Sequence, residues 1–174
     1  MGVTRDVISV QSSRTVMIMR GVPGLAMPAM DRDINPYPDT AVDFAKIVRA
    51  AGLEVEYEDA DRSSRTYLAH NAADLWIPVI QVGVDLLVGM SAGLITNMIQ
   101  RYLDRRKIDQ TILHVEYRIV DSDGQVQAIK IDGRGPDVIG ALSEFEGKQI
   151  ERTRSRAVEA RSEDEKSDPD HPLN

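Results

Sequence analysis

Apolar positions recur along this chain in two periods, and the switching between them predicts its elements. Residues 15–19 are a run of β-branched and apolar side chains between Arg14 and Gly21, as expected of a short buried strand. Strand propensity extends back to Val7. From 40 to 51 the period lengthens, placing Ala41, Phe44, Ala45 and Val48 on one helical face, with Asp39 or Thr40 as the cap and Gly52 as the stop. Residues 53–57 then alternate, Leu53, Val55 and Tyr57 facing one way and Glu54 and Glu56 the other. Strand, helix and strand in that order predict a βαβ unit with a right-handed crossover.

A second apolar run, 76–82, reads as a strand with Pro78 near its start or on an edge. The longest helix is expected over 84–107. Its closing Arg101, Arg105, Arg106 and Lys107 suit the negative end of the helix dipole. Residues 111–120 alternate with Leu113, Val115, Tyr117 and Ile119 inward and His114, Glu116 and Arg118 outward. The turn 121–124 ends in Asp123-Gly124, and 125–131 returns as the hairpin partner. Gly135-Pro136 opens a last helix carrying Val138, Ile139, Leu142 and Phe145.

These elements predict an α+β fold, a mixed four- to five-stranded sheet with helices packed on one face in a ferredoxin-like layer arrangement. The folded domain is expected over 15–147, after an N-terminal arm, 1–14. Beyond it, 148–174 is densely charged and reads as a solvated helix followed by a disordered tail. Residues 20–38 hold four prolines and two glycines, which makes them a long loop. Its Met27 and Met30 are candidates for filling a groove on a partner.

The stretch 75–99 carries one charge, Asp85, and a membrane span has to be weighed. Helical spacing gathers Asp85, Thr96, Asn97, Gln100 and Asp104 with Gly89 and Gly93 on one side, which describes a core helix with a wet margin. Gly89 and Gly93, four apart, are candidates for close approach to another helix or subunit.

Composition narrows the function classes. The chain of 174 residues is 42% hydrophobic and lacks cysteine, which excludes disulfides, thiolate metal sites and a cysteine nucleophile and makes the cytoplasm the expected compartment. The net charge of −7 argues against general affinity for nucleic acid. Residues 1–14 have no apolar run after their charges, so no secretory leader is expected. None of His70, His114 and His171 has a ligand partner at metal-binding spacing. Glu56, Glu58, Asp59 and Asp61 read as a solvated strand end rather than a cation site. Gly21 and Gly24 follow the first strand, but Pro23 removes a donor and no helix begins nearby, so no phosphate loop is expected. No cofactor and no metal is expected.

The Ala51-Gly52 helix end, the glycine-containing helix 84–99, Arg105-Arg106-Lys107 and the hairpin 120–131 around Asp123-Gly124 follow one another in an order that resembles the effector-associated constant component proteins. Those are small bacterial domains found beside effector and signalling proteins in predicted conflict systems. The resemblance covers roughly 15–145 and is one of pattern; the loop 20–38 and the charged tail depart from it, and the family has no catalytic residues to carry over. It implies a non-enzymatic interaction or adaptor module with a protein partner, either an effector or a second copy of itself. Candidate interaction residues are Met27, Met30, Gly89, Gly93, Arg101, Arg105 and Arg106. Two other readings stand beside this one. One is a small-molecule or enzyme site between the loop 20–38 and the acidic strand end near Asp59; the other is peripheral membrane contact through the basic helix end.

Overall fold

The structure is a computed structural model, and it describes residues 14–23, 35–69, 74–90, 93–106 and 111–166. Strand β1 (Thr15–Met19) leads to a two-residue strand β2 (Tyr37–Pro38), helix α1 (Thr40–Ala50) and β3 (Glu54–Tyr57). A short ribbon strand β4 (Tyr67–Leu68) pairs with β2. Then come β5 (Asp74–Trp76), β6 (Val79–Gly83), α2 (Val84–Gly89), α3 (Leu94–Arg106), the hairpin β7 (Ile112–Val120) and β8 (Val126–Arg134), and α4 (Gly135–Lys166).

The main sheet is mixed. β1 lies between β3, parallel to it, and β6, antiparallel; β6 runs parallel to β7, and β7 pairs with β8 along its whole length. β5 and β6 share one edge of β7, because β8 occupies the other. Trp76 lies opposite His114 and Ile80 opposite Tyr117, so four steps on one strand match three on its neighbour. β5 and β6 are thus one strand interrupted by a bulge at Ile77-Pro78. Pro78 stands immediately before Val79, near the start of β6 as expected, where the bulge needs no ladder donor from it.

The units β1–α1–β3 and β6–α2–α3–β7 point in opposite directions along the sheet, and two right-handed crossovers of that kind place their helices on the same face. One core cluster bears this out. It joins Val16, Ile80, Val82, Leu113, Val115, Tyr117 and Ile119 of the sheet to Phe44 and Val48 of α1, Leu87 of α2, Ile95, Met98 and Ile99 of α3, and Val138 and Leu142 of α4. The intervening sheet residues, among them Glu54, Glu56, Gln81, His114, Glu116 and Arg118, belong to the opposite face. The fold is α+β, a mixed sheet with helices on one side. Among the described residues no helix is long and apolar enough to cross a membrane.

The single helix expected over 84–107 is instead two. α2 stops at Gly89, Met90 is extended, and α3 restarts after Gly93, whose φ of +84° only glycine adopts without strain. Gly89 and Gly93 therefore share no helix face, and Thr96, expected at the wet margin, is 5% exposed. A Cβ at Gly93 would meet Asn97 and Glu146 no closer than 3.7 Å, so substitution there costs backbone strain rather than a clash. Gly93→Ala is expected to lower unfolding free energy by about 1–2 kcal/mol in urea titrations. Gly89→Ala, where the added carbon meets open space, serves as the control and should be near neutral. Equal stability of the two variants would contradict this account of the break.

The last helix and the charged helix expected after it are one continuous element, Gly135–Lys166. Its inward stripe of Val138, Leu142, Glu146, Gln149 and Ile150 runs straight through Gly147, so the helix does not end where the predicted domain boundary falls.

Candidate functional site

The first turn of α1 meets the last turn of α3, and the two helices leave a notch between them. Phe44 and Tyr102 fix the crossing from inside, their rings edge-on with centroids 6.3 Å apart. Outside that contact the helical spacing brings Tyr102, Arg105 and Arg106 opposite Asp43, Lys46 and Ile47, around a cavity of about 250 Å³. Asp43 accepts from Lys46 Nζ at 2.9 Å and from Arg106 at 3.0 Å. The Arg106 guanidinium lies 5.2 Å from the centre of the Tyr102 ring.

Lys46 and then Arg106 hold the Asp43 carboxyl below the usual carboxylate range, against the opposing effect of burial. Burial pushes the Tyr102 phenol up to about 12, so it stays a neutral donor at any physiological pH. Its hydroxyl is hidden from solvent and lies within reach of the Arg106 guanidinium as donor, while its own O–H finds no acceptor. Chemically the notch offers several cationic donors around one unfilled phenol.

Of the seven candidate interaction residues, the structure brings Arg105 and Arg106 together here. Arg101 is exposed one turn earlier on α3, outside the notch walls. Gly89 and Gly93 flank the helix break, and Met27 and Met30 lie outside the described residues. Tyr102 shares the helical face of Arg105 and Arg106 and was legible beside them, whereas Lys46 was not foreseen, because it enters from α1 through helix packing that no local spacing encodes.

The second expected location, beside Asp59, holds an organised polar cluster. Asp59 pairs with Arg20 through one carboxylate oxygen and accepts from the Tyr37 hydroxyl at 3.2 Å through the other, while its own N–H donates to that hydroxyl at 3.0 Å. Arg65 donates to the Asp59 carbonyl at 2.9 and 3.0 Å and stacks 4.0 Å over the Tyr57 ring. Burial pushes the Tyr37 phenol up to about 12, which keeps it protonated and donating. The expectation that Asp59 is solvated is corrected: it is 9% exposed. Glu58 accepts the Arg20 N–H at 2.8 Å, and Asp61 caps the short turn through Ser63. Glu58, Asp59 and Asp61 are thus each engaged by donors of the chain, and among the described residues no group of acids and histidines is gathered for a metal ion. The cluster closes the base of the long loop, where Gly21 N–H also meets the Pro36 carbonyl at 3.1 Å.

A third polar site lies at the helix break. Glu146 of α4, fully buried, points its carboxylate at the start of α3, accepting from Thr96 Oγ1 at 3.2 Å and from the backbone N–H groups of Ile95 and Thr96. A helix begins with N–H groups that lack an internal partner, and here a distant carboxylate supplies one. Burial raises the Glu146 carboxyl above its ordinary value, and the donors of Thr96 and of the helix start oppose it.

On the open face of the sheet, His114 stands between Asp132, 2.6 Å from Nδ1, and Asp74, 3.7 Å from Nε2. Glu116 lies between Arg118 at 2.5 Å and Lys130 at 3.4 Å. Cross-strand pairs of this kind stabilise a sheet surface.

Comparison with family models, with curated proteins and with solved structures finds no match to this chain.

Proposed function

We propose that this chain is a non-enzymatic protein-interaction or adaptor module of the cytoplasm, an accessory component of the kind that its resemblance to the effector-associated constant component proteins implies. The observation that supports this reading is the far half of α4. From Arg154 to Ser162 every residue is exposed, and among the described residues the last ion pair to the domain is Arg156 to Asp121 at 3.4 Å. Residues 157–166 continue as helix for about 15 Å beyond it. An isolated helix of that length is marginal in water, because nucleation is costly and nothing packs against it. Covering one face by a partner offsets that cost. Arg154, Ala157, Val158 and Arg161 fall at i, i+3, i+4 and i+7 and form such a face, with Val158 66% exposed between two arginines.

Truncation after Arg156 is expected to leave the Tm within about 2 °C, since residues 157–162 are exposed. Crosslinked capture from the native host should return a distinct protein with the full chain, and lose it with the truncation and with Val158→Glu. Capture of nothing but the chain itself, or capture undiminished by both changes, rejects the adaptor reading.

A further inference from the structure

We infer that the notch between α1 and α3 is an anion-binding site that takes a phosphate monoester. Lys46, Arg105 and Arg106 bring three positive charges to its walls and Asp43 one negative charge. Lys46 and Arg106 share Asp43, while Arg105 has no ion pair among the described residues; Asp39, whose charge also reaches Tyr102, brings a second carboxylate near, so three cations face two anions and the notch keeps a net positive charge inside a chain whose net charge is −7. Arginine and lysine converging on one hollow is the donor set that phosphate oxygens use, the planar guanidinium giving paired bonds and the ammonium a point charge.

Basic residues at a helix end have a simpler use, which is to neutralise the dipole. That explains Arg105 and Arg106 on α3 but not Lys46, which reaches the same hollow from α1. Because the first turn of α1 lies against the last turn of α3, the opposed helix ends largely cancel, and the side-chain charges set the local field. Tyr102 is the independent observation. It is 2% exposed, it lines the notch, and its hydroxyl is a buried donor with no acceptor. Buried donors are nearly always satisfied, so an unfilled one beneath a ring of cations marks where an acceptor oxygen belongs. Asp43 already places a carboxylate on Lys46 and Arg106, which shows that the two cations converge on an anionic group.

Inorganic phosphate is the probe, titrated into the full chain at constant ionic strength with chloride as the balancing salt, and followed by amide chemical shifts. Saturable shifts at Lys46, Arg105 and Arg106, with a Kd of about 1 mM or tighter, are expected. Arg105→Glu should weaken binding at least about tenfold. Tyr102→Phe should weaken it about threefold. Asp43→Asn should tighten it, because it releases two cations from their internal carboxylate. That opposite sign separates a site from general loss of charge, and thermal melts confirm that each variant is folded.

Vesicles of phosphatidylcholine with and without phosphatidic acid distinguish the source of the phosphate. Sedimentation with the phosphatidic acid vesicles alone, reversed by inorganic phosphate and lost in Arg105→Glu, identifies a lipid headgroup. Saturable phosphate binding without sedimentation identifies a soluble monoester. Shifts that rise linearly, spread over the whole surface, or are unchanged in both Arg105→Glu and Asp43→Asn overturn the inference.

Discussion

Glu146→Ala is expected to reduce unfolding free energy by about 3–5 kcal/mol, more than any other single change considered. The removed carboxylate leaves Thr96 Oγ1 and the N–H groups of Ile95 and Thr96 without an acceptor in a fully buried place. Each such group costs about 1–3 kcal/mol, and the cavity adds to it, although partial relaxation keeps the sum below simple addition. Glu146→Gln keeps an oxygen for the start of α3 and offers an amide to the Tyr117 oxygen. It should stay within about 1 kcal/mol of the parent at neutral pH.

The pH dependence of the two proteins should differ in a definite direction. Burial raises the folded-state carboxyl of Glu146 above its ordinary 4.5. Below 4.5 the group is protonated in both states and its contribution to stability is complete; as pH rises through the folded value, ionising a buried group removes that contribution. The difference, Gln variant minus parent, should therefore grow more favourable to the variant from about pH 4 upward. Taking the difference cancels the opposite slope from carboxylates such as Asp43 and Glu144, which are held low by their lysine partners. Urea titrations across that range decide it. A flat difference, or an alanine variant as stable as the parent, removes Glu146 from its role as the lock of the helix break.

The legible parts of this fold are those written in local periods. Leu113, Val115, Tyr117 and Ile119 alternate in the sequence and are each no more than 1% exposed in the structure, and α1 buries the face its spacing predicts. The parts that escaped are held by partners far away in the chain. Thr96 and Glu146 are 50 residues apart, and without knowing that a carboxylate meets the start of α3, Gly89 and Gly93 read as one helix face rather than as a break. One signal was available. Glu146 sits on the inward stripe of its own helix, between Leu142 and Gln149, and an acid on such a stripe has to find donors inside the protein. Of the notch, the arginines were visible as a cluster. Tyr102 lies on the same helical face, and only Lys46 joined them once α1 and α3 were packed side by side.

Asp59→Ala is expected to cost about 2–4 kcal/mol, the second-largest effect. Arg20 and Asp59, 39 residues apart, tie the end of β1 to the end of β3, and Tyr37 adds the β2–β4 ribbon to the same knot. Removing the carboxylate strands a phenol that is 1% exposed, together with a guanidinium. The Arg20 side chain is 33% exposed, and water compensates part of its loss, which sets the figure below that for a fully buried pair. Asp59→Asn keeps an acceptor for Tyr37 and gives up only the charge, so about 1–2 kcal/mol is expected. The local signature distinguishes a clamp from a diffuse loss of stability. Tyr37 N–H donates to the Thr66 carbonyl at 2.9 Å and Asp39 N–H to the Leu68 carbonyl at 3.0 Å, and hydrogen exchange at these two amides should accelerate in Asp59→Ala more than at the β7–β8 hairpin. If exchange rises equally at both places, Asp59 contributes to global stability alone and does not anchor the ribbon that closes the base of the long loop.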